Sequence, residues 1–410
     1  MSFNFKRSAA AAAAIICTAS MCACSVDNGY IMKIDGTDIR TGIYLSYMMS
    51  AYDNSISEIS DAKEDMGDTS EVGDVFTQSI GGKESNEWIK EETLKLVKRH
   101  IAIDRLFESK NLSLTNEEID KIGDAINETW STDSINYFGY TFSVQQLYGT
   151  DTMGEYYESI GIGKDSQKEL DINNLKMEKL FLSFYDKDGE TPVSEDEINT
   201  YIKDNFANVK VIELPYDDKY GLDLDKEEDI QAVKDKAQGY LERLQNGESW
   251  IDVQYEHDLE VAKNEAAVDA EFNFDKETSE VPEDMDAYIQ AAVDKVTLEK
   301  ADNIEDLETV ISKDSSAYDE AMTEFIWALA DDGKPTTYEA KDRIYIIARD
   351  DITTKEIWKA DNNISILNEL RTEDFDEMID ALAENYSVDK NDDLINNKYA
   401  PNKYKPLMAQ

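Results

Sequence analysis

Pro192-Val193-Ser194-Glu195-Asp196-Glu197-Ile198-Asn199-Thr200-Tyr201 is the stretch on which the fold turns. Ser194 followed three residues later by Glu197 is a capping box, in which each side chain satisfies a main-chain N–H left open by the first helical turn. A helix to about Phe206 is predicted from it, and Val209–Leu214 then reads as a strand. Before Pro192 the apolar spacing is almost wholly helical, whereas beyond it strands and helices mix. The chain is therefore predicted to be α+β, a mostly helical body interrupted by an α+β domain.

Working outward toward the N-terminus, Tyr30–Ile34 reads as a brief strand closed by an Asp35-Gly36 turn. A helix should follow through Ile43, Tyr44, Tyr47 and Met48. Residues 53–86 are rich in Ser, Asp, Glu and Gly without a clear period and are predicted to be a loop. Trp88–Ser109 carries one stripe of Leu94, Val97 and Ile101 and another of Ile89, Leu96, Ile103 and Phe107, so this helix should be embedded among others. Thr115 or Asn116 caps the next helix. Tyr156–Tyr185 is again helical, broken near Gly161–Lys164 and ended by Asp186-Lys187-Asp188-Gly189.

Toward the C-terminus, Ile230, Val233, Ala237, Leu241 and Leu244 line one helical face. Asn246-Gly247 breaks that helix, and Trp250–Tyr255 resumes it. Residues 277–319 are acidic and show no assignable period. A helix near Tyr318–Ala330, a turn at Asp332-Gly333 and a strand at Arg343–Arg349 complete the domain. In the tail, Phe375, Met378, Ile379 and Leu382 have core spacing on a helix that needs a partner.

All three cysteines lie at or before Cys24, so a mature chain that begins there has no internal disulfide. Lys6 and Arg7, the small apolar run Ala9–Ile16 and the close Met21-Cys22-Ala23-Cys24 have the form of a secretory signal. The cysteine behind Ala23 makes it resemble a bacterial lipoprotein signal, with Cys24 as the lipidated first residue. The alternative is an ordinary signal peptide with incidental cysteines. The apolar run is too short to span a bilayer.

Hydrophobic content of 41%, with 22 Tyr, 13 Phe and 5 Trp, is sufficient for real cores. A net charge of −48 repels phosphate backbones and argues against nucleic acid as a partner. It also works against adhesion to an anionic membrane, which leaves the lipid as the means of attachment.

The order of these segments resembles the SurA/PrsA-like extracytoplasmic foldases, chaperones whose helical body is interrupted by a parvulin-type (PpiC-type) peptidyl-prolyl isomerase domain. Val26–Gly36 is similar to the family's opening strand and turn, and Trp88–Leu114 to its long helix. Val193–Tyr201 is similar to the start of its isomerase domain. Ala232–Tyr255, with Leu244-Gln245-Asn246-Gly247-Glu248-Ser249-Trp250 inside it, resembles the helix pair that follows. The resemblance implies a signal peptide at 1–23, a SurA-N-like chaperone domain at 24–192, a parvulin-like domain at 193–352, and a helical segment at 353–410 packed on the N-terminal domain.

Departures from the family bear on mechanism. Its first-strand histidine falls on Ile212 or Glu213, depending on register, and its last-strand histidine falls on Tyr345. The family's Cys or Asp position is Asp258. The glycine-rich turn is missing, since Glu265–Glu271 contains no glycine. The apolar proline pocket maps to Tyr318 and Met322, with Trp327 following. Prolyl isomerisation is rotation about an amide with partial double-bond character. A catalyst holds the ring in an apolar pocket while a polar network disfavours the planar amide. Loss of both histidines removes most of that network and leaves the groove, which implies a peptide-binding domain of weak or no catalytic power.

Of the two histidines, His100 reads as a satisfied core or boundary residue, and His257 as a surface residue at a helix C-terminus. The alternative for His257 is a displaced member of the isomerase network. Asp186-Lys187-Asp188-Gly189 and Asp223-Leu224-Asp225 lack the EF-hand run of ligands and read as solvated turns. No metal or cofactor is implied. Tyr137-Phe138-Gly139-Tyr140-Thr141-Phe142 could contact unfolded segments, although core packing is the simpler expectation. The function implied is a lipid-anchored folding factor on the outer face of a bacterial cell membrane, with unfolded or exported polypeptides as partners. The alternatives are a working peptidyl-prolyl isomerase and a ligand-binding lipoprotein without chaperone activity.

Overall fold

The computed structural model describes residues 29–137, 139–216, 227–272, 282–355 and 364–408. Cys24, the signal segment and Asp223-Leu224-Asp225 lie outside them. The fold is α+β and mostly helical, in two compact units. One takes in the described residues up to Pro192 and those from Leu367 onward, and the other is Val193–Ile366.

The first unit opens with strands β1 (Tyr30–Ile34) and β2 (Thr37–Arg40). The turn between them places Asp35 at φ 47° and Gly36 at φ 86°, the positive pair that suits the twist of a two-residue hairpin. Helix α1 (Thr41–Asp65) follows, and it overturns part of the loop expected over 53–86. Tyr52, Ser55 and Ile59 are buried on its second half, and Ser55 satisfies its hydroxyl on the Tyr52 carbonyl at 2.5 Å. Three buried residues spaced three and four apart suffice to hold a helix whose other positions are polar, and the Ser/Asp/Glu content concealed them. The rest of that stretch contains a short 3-10 turn (Val75–Thr77) and the ribbon β3 (Ser79–Ile80) and β4 (Lys83–Glu84).

Helix α2 (Ser85–Ser109) is the centre of this unit and buries Ile89, Val97, Ile101, Ile103 and Phe107. Helix α3 (Asn116–Ser131) is capped by Thr115 in a reciprocal box with Glu118. Strands β5 (Ser134–Tyr137) and β6 (Tyr140–Ser143), then helices α4 (Val144–Tyr148), α5 (Met153–Ser159) and α6 (Lys164–Tyr185), complete the N-terminal part. His100 is buried, with Nδ1 3.0 Å from the Tyr47 hydroxyl, and neighbouring Asp104 accepts from Asn173 at 3.0 Å and Lys176 at 2.7 Å.

The second unit begins with α7 (Glu195–Asn205), where Ser194 and Glu197 form the capping box. Its sheet has the order β8-β7-β10-β9, antiparallel throughout, built from β7 (Phe206–Pro215), β8 (Thr309–Ser312), β9 (Thr336–Glu339) and β10 (Arg343–Asp350). Helices α8 (Glu227–Gln245) and α9 (Trp250–Phe272) supply one cover. Val233, Ala237, Leu241, Leu244 and Val253 meet Ile212, Leu214, Ile344 and Ile346 there. Helix α11 (Glu320–Ala328) covers the other face, where Met322 and Ile326 meet Val209, Ile311 and Ile347. Full burial of one such side chain stabilises by about 1.5–3 kcal/mol. Helix α10 (Met285–Val293) lies against α9. This unit extends past residue 352, because Ile352 is buried in it and Lys355 ion-pairs with Glu308.

Helix α12 (Ile364–Glu384) and strand β11 (Val388–Lys390) follow, and short helical turns at Leu394–Lys398, Pro401–Lys403 and Lys405–Met408 come after them. β11 pairs antiparallel with β1, Ile34 opposite Val388, so the last strand completes the sheet begun by the first. Phe375 packs edge-on to Phe181 at 5.5 Å, and Arg99 bridges to Asp380 at 3.0 Å and to Asp376. The buried line along α12 is Phe375, Ile379 and Ala383, four residues apart. Leu382, expected in the core, is 42% exposed because it falls a residue off that line.

Candidate peptide-binding face of the second unit

The β7–β10 pairing runs the full length of β10 and settles the register question. Ile212 is opposite Ile346, and Glu213 is opposite Tyr345. Directly opposed residues on an antiparallel pair share a face. Ile212 is fully buried under α8, so of the two first-strand candidates it belongs to the apolar core. Glu213 shares the α11 face with Tyr345 and Tyr318, and its negative charge acts on both phenols.

Four aromatic rings run across this face. Tyr318 meets Tyr345 edge-on at 6.1 Å, Tyr345 lies 6.3 Å from Tyr338, and Tyr338 lies 4.9 Å from Phe325. Tyr318, Tyr338 and Phe325 are half-buried, so they form a wall that solvent still reaches. Arg343 ion-pairs with Glu213 and donates to Asp342 at 2.7 Å. Burial, reinforced by the Glu213 carboxylate, pushes the Tyr345 phenol up. Tyr318 is pushed up by burial first, then by Tyr345 and Glu213. Both phenols thus stay protonated well above neutral pH, and the carboxylate beside them is held by a guanidinium.

Met322 is only 2% exposed. It packs beneath α11, so it supports the aromatic wall without being open to a ligand; the expected groove lining is corrected in that respect. Trp327 lies at the opposite end of α11 from Tyr318. Its Nε1 donates to the Asp204 carbonyl at 3.0 Å, and its ring lies 5.7 Å from the Arg349 guanidinium. These contacts tie α11 to the end of α7.

His257 departs most from expectation. Instead of ending a helix at the surface, it is buried inside α9, which continues unbroken to Phe272. Its ring bonds to the main chain of Glu213 and meets Tyr240 edge-on at 6.0 Å. Burial pushes its pKa down, partly opposed by Asp258. Asp258 itself is exposed and accepts from Gln254 at 2.8 Å. An open cleft of about 360 Å³ is lined by Glu213, Pro215, His257, Asp258, Glu265 and Leu298. The continuous α9 occupies the chain positions where a glycine-rich turn was missed, so the absence of glycine has a visible structural counterpart.

Arg343, Phe325 and Tyr338 were not singled out from sequence. Phe325 could have been found three residues after Met322 on the same helix, but Tyr338 lies on a short strand that gave no signal. Among the described residues no group of three or more His, Cys, Asp or Glu is placed to hold a metal ion, and no helix is long and apolar enough to cross a membrane.

No known family model matches the chain, and no curated protein matches it. Among solved structures, the foldase protein PrsA of Streptococcus pneumoniae is similar over 77% of this chain and 91% of that one, at 15% identity and a TM-score of 0.24. The functional reading therefore rests on the residues of this chain.

Proposed function

We propose that this chain is a lipid-anchored folding factor acting outside the cytoplasmic membrane, which holds exported polypeptides and has little or no prolyl isomerase activity. The observation that carries the reading is the cross-strand pair Glu213 and Tyr345, set in an aromatic wall at the positions where the resemblance to SurA/PrsA-like foldases puts two histidines. The wall offers apolar surface to an extended segment at about 25 cal/mol per Å² buried. The polar part consists of an ion pair and high-pKa phenols, which are poor groups for exchanging a proton or reorganising hydrogen bonds around a twisting amide near neutral pH. Tyr318, Tyr338 and Phe325 are the residues for peptide contact, Met322 and Trp327 their support, and Cys24 the site of the anchor.

The test is to run two assays on the full chain. Suppression of aggregation of an unfolded client is expected, together with a proline tetrapeptide isomerising at close to its uncatalysed rate. Strong isomerisation abolished by Tyr345→Phe or Asp258→Ala would establish the enzyme instead. Failure in both assays would leave a ligand-binding lipoprotein as the reading.

A further inference from the structure

The first unit presents a second apolar surface. Across β5 and β6, Ile135 is opposite Phe142 and Tyr137 is opposite Tyr140, while Ser134 is opposite Ser143 and Asn136 opposite Thr141. Alternation along each strand places Ile135, Tyr140 and Phe142 on one face and Ser134, Asn136, Thr141 and Ser143 on the other. Such a ribbon normally lays its apolar face on a core. Here Tyr140 is 72% exposed and Phe142 38%, and the following α4 adds Leu147 and Tyr148, both more than 40% exposed. The core packing expected for this aromatic stretch is not found at those positions.

The base of the ribbon is firmly held. Val144 is fully buried, and its N–H donates to the Asp133 carbonyl at 2.7 Å. Tyr148 rests on Tyr156 at 4.4 Å, Tyr156 on Tyr157, and Tyr157 stacks on Trp130 at 5.2 Å. A Cβ at Gly154 would fall 2.3 Å from the Trp130 ring, so that stack closes tightly over a glycine. The exposed side chains of Tyr140, Phe142, Leu147 and Tyr148 therefore sit beside a packed platform. Two strands also leave one outer edge each, an opening for main-chain pairing with an extended segment.

Charge selects the occupant. Between Lys121 and Lys164 the chain has no lysine or arginine, while Asp124, Glu128, Asp133, Asp151, Glu155 and Glu158 are all exposed. We infer that β5–β6 with α4 is a docking surface for extended, positively charged polypeptide segments bearing aromatic or large aliphatic side chains. The inference rests on the folding-factor reading and deepens it by naming the client chemistry and a separate place of contact. An anionic lipid surface would be repelled by the same carboxylates.

The test uses the full chain and two labelled peptides of alternating Tyr/Leu and charged residues, one with Lys and the other with Glu, followed by fluorescence anisotropy. The Lys peptide is expected to bind at least about tenfold more tightly and to weaken with added salt, which screens exposed charges beyond roughly 10 Å. Tyr140→Ser with Phe142→Ser should weaken it by about tenfold, the effect of losing roughly 1.4 kcal/mol of contact. Asp133→Lys with Glu155→Lys should remove the preference for Lys over Glu. All four side chains are exposed, so unchanged circular dichroism is expected. Equal binding of the two peptides, or full retention of binding by the Ser variant, in a chain that still suppresses aggregation overturns the hairpin assignment alone. Ser-sensitive binding to phosphatidylcholine vesicles without a Lys-peptide preference would assign the surface to lipid and overturn it too. A parent chain that neither binds the peptides nor suppresses aggregation would fail at the folding-factor reading itself.

Discussion

Glu213 and Tyr345 face each other across the β7–β10 pair, on the sheet face that α11 covers. The carboxylate is engaged by Arg343 on its own face, while its main chain accepts the ring of His257 from the α9 side. Glu213 thus links the Arg343 ion pair to the buried His257 ring. The Glu213–Arg343 pair is about a third to a half exposed, where such bridges contribute only about 0–1 kcal/mol. Glu213→Ala is accordingly expected to lower stability by less than about 1 kcal/mol. With Tyr345→Phe it should leave prolyl isomerisation within twofold of the parent, roughly 0.4 kcal/mol. A large loss of rate in a coupled tetrapeptide assay would contradict this.

Met322 makes a stability prediction. Met322→Glu places a carboxylate at a 2% exposed position among apolar side chains, so the second unit should lose about 3 kcal/mol or more. Met322→Leu conserves volume and should cost less than about 1.5 kcal/mol. Denaturant unfolding of the two variants measures the difference, and equal midpoints would contradict the burial of Met322.

Much of the architecture was legible because capping boxes and apolar periods are local signals. Ser194 with Glu197, Thr115 with Glu118 and the Val233–Leu244 face all form where the spacing places them. Helix α1 beyond Tyr52 was hidden because it is held by tertiary burial of Ser55 and Ile59, which polar neighbours mask. The choice between Ile212 and Glu213 was illegible for another reason, since only pairing with β10, distant in sequence, sets the register. His257 misled because its α9 helix extends to Phe272 without the periodicity that would announce it.

His100 links stability to pH. Burial holds its imidazole well below the ordinary 6.5, with Asp104 raising it and Lys176 lowering it, and the Tyr47 hydroxyl bonded to the ring. The folded pKa is depressed, so the unfolded chain takes up the proton first. Stability is retained above about pH 6.5 and falls as pH drops below it. His100→Leu should flatten the stability-against-pH slope between about pH 6.5 and 5, while leaving the Tyr47 hydroxyl unpaired at a cost of about 1–3 kcal/mol at neutral pH. Urea titrations of parent and variant at several pH values give both quantities, and parallel slopes would contradict a buried neutral His100.

The tail supplies an edge strand and a core helix to the first unit. Truncation after Ile366 removes β11 from the β1 edge and takes Phe375 away from Phe181 and the Arg99 bridges. Phe375→Ala alone should cost about 3–5 kcal/mol in that unit. Truncation should abolish its cooperative transition while that of the second unit persists. Hydrogen exchange resolves the two, and protection of α2 amides that survives truncation would show that the tail is dispensable.

Location should depend on a single atom. The signal-like segment ends at Ala23-Cys24, and Cys24 is the last cysteine in the chain. Net charge of −48 opposes any electrostatic hold on an anionic leaflet. Acyl chains contribute about 0.8 kcal/mol per buried CH₂, so the modification of Cys24 would supply essentially all of the membrane affinity. Cys24→Ser is expected to move the protein from the membrane fraction to the soluble extracytoplasmic fraction and to abolish metabolic labelling with a radioactive fatty acid. Label that persists on the serine variant would show that Cys24 is not the acceptor, and a membrane-bound but unlabelled variant would show a second means of attachment.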